Sequence, residues 1–123
     1  MTDKQDKIAI IATHGAEDPE RATLPFVVAN AAQAMDTKAV VILQGYAVTL
    51  AVKGEPERVL AAGLPPFKDL VDSYLKQGGE LLVCTPCIKA RQITPEMLIA
   101  GAKTIAAGRV VQECLESQAT LNY

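Results

Sequence analysis

The sequence predicts an α/β fold: a mainly parallel sheet covered on both faces by helices. Short β-branched runs alternate with longer helical stretches along the chain, the pattern of βαβ units joined by right-handed crossovers. The strand candidates are continuous apolar runs such as Lys7–Thr13 (KIAIIAT), the mark of strands buried on both faces. At 123 residues the chain has the length of one domain, taken as residues 1–123, and can bury roughly two-thirds of its unfolded surface.

Each element has its own signal. Lys7–Thr13 is the first strand. Asp18 is an N-cap and Pro19 a first helical residue, so a helix starts there and runs to about Met35, with a kink or break expected at Pro25. Ala39–Leu43 is a second buried strand, ending at Gly45. Ala47–Val52 closes on Lys53-Gly54-Glu55-Pro56, and both a short helix and an irregular wall fit it. Its apolar surface exceeds what a small monomer is expected to cover, so subunit contact would bury it. Pro65-Pro66 opens a helix with Phe67, Leu70, Val71, Tyr74 and Leu75 on one face, and Gly78-Gly79 closes it. Glu80–Cys84 is the third strand. Thr94-Pro95 starts a helix expected to reach about Ala100, and Lys103–Ala106 reads as a fourth strand. Arg109–Ser117 is a helix with Val110, Val111, Cys114 and Leu115 on one side, and Ala119–Tyr123 adds a short final strand.

Composition narrows the function. Half the residues are apolar, 21% are charged, and the net charge is −2. These values exclude a disordered tail, a collagen-like repeat and a strongly basic nucleic-acid binder. No nucleic acid partner is expected. The first residues are charged with both signs and only Ile8–Ala12 is apolar behind them, so no secretory signal is expected. The longest apolar tract, Ala39–Val52, is interrupted by Gln44, Gly45 and Thr49 and falls short of the ~20 residues that span a bilayer. A cytoplasmic location without membrane contact is the expectation. Three cysteines in such a compartment favour reactive or metal-binding roles over a disulfide framework.

In open α/β sheets, ligands bind beyond the carboxyl ends of the strands. Those ends carry Thr13-His14-Gly15, Gly45-Tyr46, Cys84 with its sequel, and the segment around Gly108. The one histidine and the close cysteine pair thus point to the same edge. Cys84-Thr85-Pro86-Cys87 is a C-x-x-C motif directly after a strand. Thiolate is the nucleophile; helix N-terminal amides and the cations Lys89 and Arg91 favour it. Two-residue spacing lets one sulfur attack a disulfide or persulfide formed on the other. Nucleophile with resolving thiol, persulfide carrier and half a metal site are all open.

The rest of the inventory has plainer readings. A zinc site normally needs four ligands, which would draw in His14 and Cys114 or a second subunit; no metal or other cofactor is expected. A thioredoxin fold would place the motif near its first strand, whereas here it follows the third. Cys114 reads as a core thiol. His14 sits in a polar turn, either solvated or at the rim of the site. Gly15 opens no G-x-G-x-x-G or P-loop pattern, so nucleotide binding has no support. Glu17, Asp18 and Glu20 suit a helix N-terminus, and Asp69 and Asp72 a solvated helix face.

The runs Thr13–Ala22 and Leu24–Ala32, Val40–Leu43 with Gly45 and Val48, and Gly78–Cys87 together resemble the DsrE/DsrF-like family of small intracellular sulfur-handling proteins, some of them labelled peroxiredoxins. The resemblance spans nearly the whole chain. It implies a three-layer α/β/α sandwich with a five-stranded, mainly parallel sheet, commonly assembled as homotrimers or hexamers. It also implies persulfide sulfur passed between donor and acceptor proteins from a cysteine ending the third strand, often with an arginine seven residues on. Cys84 and Arg91 match that arrangement. The family's arginine is often followed by glycine; here Gln92 follows, so a different backbone is expected after Arg91.

The resulting expectation is a sulfurtransferase-like carrier that holds a persulfide on Cys84. Cys87 would release the sulfur through a transient disulfide, and Arg91 and His14 would stabilise anionic sulfur. Two alternatives stand beside it: a dithiol redox or peroxiredoxin-like protein cycling a Cys84–Cys87 disulfide, and a non-catalytic oligomeric assembly or regulatory module.

Overall fold

In the computed structural model, which describes residues 5–123, the apolar runs form five strands: β1 (Lys7–Ala12), β2 (Lys38–Leu43), β3 (Glu80–Cys84), β4 (Ala102–Ile105) and β5 (Ala119–Asn122). They pair in the order β4-β3-β2-β1-β5, every neighbouring pair parallel, so the expected α/β fold is present. The central register sets Ile10 beside Val41 and Leu43 beside Val83. All four residues are buried, as strands covered on both faces require.

The helices are α1 (Pro19–Ala34), α2 (Phe67–Lys76), α3 (Thr85–Ala90) and α4 (Ala107–Leu115). The larger core joins α1 and α2 to one sheet face, where Phe26 meets Phe67 and Tyr74 edge to face at 5.1 and 5.8 Å between ring centroids. Tyr74 also bonds backbone: its hydroxyl accepts from the Val41 N–H at 3.1 Å and donates to the Ala39 carbonyl at 2.9 Å. Burial holds this phenol well above its ordinary pKa, so it stays a hydroxyl. The second face carries a smaller core of Ala9, Val40, Ile42, Leu82 and Ile105 under Val110 and Cys114 of α4.

Several expectations need correction. α1 runs through the buried Pro25 without a break, anchored by Ala22, Phe26 and Ala29 in the core. Thr94 starts only a 3-10 turn, Pro95–Met97, and not a helix to Ala100. There the Met97 carbonyl accepts from Lys53 N–H, and Ile99 N–H donates to the Ala51 carbonyl, drawing the chain into a bridge between Leu98 and Val52. On α4, Val111 and Leu115 are exposed, while Glu113 turns inward. Gly45–Ala51 is a 3-10 helix whose Ala47, Val48, Leu50 and Ala51 are buried within one chain, so the apolar surface expected of Ala47–Val52 is largely covered without a second subunit; Tyr46 stays exposed.

Glu113 is buried because it has partners. Its carboxylate meets Lys7 Nζ at 2.7 Å and Arg109 Nε at 2.6 Å, and Arg109 continues to Glu80 at 3.3 Å. Burial alone would raise the Glu113 pKa; the two cations bring it below the ordinary carboxylate value.

Candidate functional site

The site forms where β2 and β3 end. Cys84 closes β3 and is the N-cap of α3; Cys87 lies in the first turn of that helix. The apolar pattern marks no helix over these six residues, although Pro86 in the first turn is a start signal. The turn brings the two sulfurs to 2.7 Å, beyond the ~2.05 Å of a disulfide bond and within hydrogen-bonding contact. Both cysteines are free and half-buried.

From the neighbouring strand end, the Gly45 N–H donates to Cys87 Sγ at 3.2 Å. Gly45 has φ +58°, a left-handed conformation that glycine adopts at no steric cost. The Cys84 thiol is held above the ordinary cysteine value, first by burial and then by its hydrogen bond with Cys87. The Cys87 amide and the Arg91 charge act in the opposite direction without overcoming it. The cations expected to make Cys84 a thiolate therefore leave it a thiol at rest.

The end of α3 places Arg91. Gln92 N–H donates to the Lys89 carbonyl and Ile93 N–H to the Ile88 carbonyl, the paired bonds of a Schellman motif, with Ile88 and Ile93 in apolar contact with the core. That motif needs a left-handed residue after the cap, and Gln92 supplies it with φ +56°. The backbone after Arg91 thus takes the conformation a glycine would favour, contrary to the expectation of a different path. Arg91 folds back over the turn, its Nη1 donating to the Cys87 carbonyl at 3.0 Å. Its guanidinium also lies 5.9 Å from the Tyr46 ring centroid.

The remaining sequence candidates divide. Cys84, Cys87 and Arg91 come together. His14 instead pairs with Glu17, Nδ1 to Oε2 at 2.9 Å, and the same carboxylate accepts from the Gly15 N–H. Gly15 abuts the Tyr46 ring, which sets His14 on the rim of the same edge. Cys114, on α4, packs against the opposite sheet face. Among the described residues, no three His, Cys, Asp or Glu side chains gather in a way that could hold a metal ion. The strand-end argument puts Gly45-Tyr46 at this edge, but their contacts with Cys87 and Arg91 have no signal in the sequence, because those partners lie some forty residues away. A cavity of about 380 Å³ lies among Gln33, Asp36, Lys38, Gln77 and Gly79, at the start of β2 and away from the thiols.

Among the described residues, no helix is long and apolar enough to cross a membrane. The chain is 35% identical over 106 residues to the uncharacterized protein MJ0760 of Methanocaldococcus jannaschii, a match covering 82% of this chain and 38% of that protein. The uncharacterized protein MK0008 of Methanopyrus kandleri is 29% identical over 115 residues, 91% of this chain and 89% of that one. The fold superposes on the ychN protein from E. coli with a TM-score of 0.82 at 19% identity, covering 97% of this chain and 100% of that one. A protein of unknown function from Methanobacterium thermoautotrophicum, MTH1491, gives a TM-score of 0.75 at 14% identity, covering 98% and 100%. The sequence pattern of the DsrE/DsrF-like family matches residues 6–123, and the chain belongs to that family.

Proposed function

We propose that this protein carries sulfane sulfur on Cys84 and passes it to a thiol of a partner protein. The observation that supports this reading is the thiol pair at the carboxyl edge of the sheet, its sulfurs 2.7 Å apart in a turn whose Cys87 carbonyl accepts from Arg91. Cys84 attacks the outer sulfur of a donor persulfide, R–S–SH. The new S–S bond forms on Cys84, the donor S–S bond breaks, and the Cys84 proton goes to the departing donor thiolate. Transfer reverses the step: an acceptor thiol takes the outer sulfur, and Cys84 recovers a proton. Neither step needs an oxidant or a reductant.

Arg91 stabilises anionic sulfur during both steps, and His14 lines the rim. Cys87 adds a second exit. Its thiolate attacks Cys84 Sγ, expels hydrosulfide and leaves a Cys84–Cys87 disulfide, which a dithiol reductant must reopen. Sulfur donor and acceptor proteins are the partners in this reading. Assembly into a homotrimer or hexamer belongs to it as well, with Val111 and Leu115, 57% and 81% exposed on α4, as surface that contact would cover.

The same sulfur distance also favours a dithiol cycle, in which both thiols surrender two electrons and two protons to a peroxide or disulfide. Loading the protein from a persulfide donor, then adding an acceptor thiol, separates the two. The carrier delivers one sulfur per chain to the acceptor; a dithiol enzyme delivers none and consumes peroxide with turnover under a reductant.

A further inference from the structure

We propose that Tyr46 is a positioning residue of the thiol site: its ring holds the Arg91 guanidinium over the Cys84–Cys87 turn, and Gly15 is the residue that lets the ring lie there. This deepens the sulfur-carrier reading and rests on it for its functional meaning. Three observations converge. The guanidinium carbon stands 5.9 Å from the ring centroid, within the ~6 Å reach of a cation–π contact, while Nη1 holds the Cys87 carbonyl. Arg91 is exposed, so without a second anchor its long side chain would sample many rotamers.

The ring is itself held, although Tyr46 is 48% exposed. It stands against Gly15, where an added Cβ would fall 2.6 Å from Tyr46 Cδ1 and 2.8 Å from Thr49 Oγ1. Thr49 Oγ1 in turn donates to the Tyr46 carbonyl at 2.8 Å, closing the 3-10 turn that presents the ring. Since Gly15 is at neither a helix start nor a left-handed position, this close approach is the reason a side chain is excluded there. A solvent-exposed aromatic locked by a glycine and facing a cation at a thiol pair has a clear task. It keeps the positive charge where sulfur becomes anionic.

The test is the pH profile of Cys84 alkylation, read by peptide mass spectrometry, which reports the charge on Cys84 whether or not sulfur is ever carried. Tyr46→Ala should move the profile upward and slow alkylation near neutral pH about two- to five-fold, the range a cation–π contact at an exposed site allows. Tyr46→Phe should retain the wild-type profile. Gly15→Ala should shift it in the same direction as Tyr46→Ala by displacing a ring that is still present. In Arg91→Ala, adding Tyr46→Ala should change nothing more, since the two act as one unit. A Tyr46→Ala profile that superimposes on wild type overturns the proposal, as does full additivity with Arg91→Ala. If Cys84 loads no sulfur but this coupling holds, the carrier reading falls and the positioning role stands. If sulfur loads and the coupling is absent, the reverse is true.

Discussion

The Gly45 N–H donates to Cys87 Sγ at 3.2 Å, tying the end of β2 to the first turn of α3. Cys87 is thereby held from two strands: covalently through β3 and by a backbone donor from β2. An amide donor aimed at sulfur adds no titrating group, which suits the resolving role proposed for Cys87.

Gly45→Ala should destabilise the fold by about 1–2 kcal/mol, the ordinary cost of a side chain in the left-handed region. The cost is in the backbone and not in crowding, because the nearest atom to an added Cβ is the Thr13 carbonyl oxygen at 3.9 Å. Gly45→Asn, better suited to that region, should lose less. Thermal unfolding of the two variants measures the difference; equal losses would point to crowding.

Gln92→Gly should stabilise. Relief of left-handed strain contributes about 1–2 kcal/mol, and the freer unfolded chain takes back roughly 0.5–1 kcal/mol. A net gain of about 0.5–1 kcal/mol should appear as a rise of a few degrees in the unfolding midpoint. A lower midpoint would show that the Gln92 side chain supplies more than its backbone costs.

Cys84 should alkylate more slowly than free cysteine at pH 7, because burial and its bond to Cys87 keep it protonated. Its reactivity should rise with pH to a midpoint above the ordinary ~8.5 and be lost as pH falls through that midpoint. Arg91→Ala removes a charge that favours the anion and should move the midpoint higher still. A wild-type midpoint below ~8.5 would contradict this.

Glu113→Gln should cost about 2 kcal/mol at pH 7. That is less than the ~3–5 kcal/mol of a sole buried pair, since Lys7 keeps Glu116 at 3.5 Å and Arg109 keeps Glu80 at 3.3 Å. The folded pKa of Glu113 is depressed, so its contribution is full above the unfolded value near 4.3 and fades as pH falls through the lower folded one. Denaturant unfolding at pH 7 and pH 3 should show the variant approaching wild type in acid.

Local signals carried most of the fold. Apolar runs announced β1 to β3, Asp18-Pro19 the start of α1, and the Phe67–Leu75 stripe α2. The strand ends then set Cys84 at the carboxyl edge of the sheet, where the candidate site lies. What escaped was decided by tertiary partners. The pattern of α4 put Val111 and Leu115 inside, but Lys7 and Arg109, one of them about a hundred residues away, draw Glu113 inward instead. The stretch from Thr94 reads as a helix, yet bonds to Ala51 and Lys53 pull it into a bridge. The contact of Tyr46 with Arg91 joins residues with no local pattern between them.

The central claim is tested most directly by intact-protein and peptide mass spectrometry after exposure to a small-molecule persulfide donor. Wild type should gain the mass of one sulfur, mapped to Cys84. Cys87→Ser should keep that sulfur longer, and Cys84→Ser should gain none. Sulfur taken up by Cys84→Ser, or wild type that gains no sulfur at all, would contradict the assignment of Cys84 as the carrier.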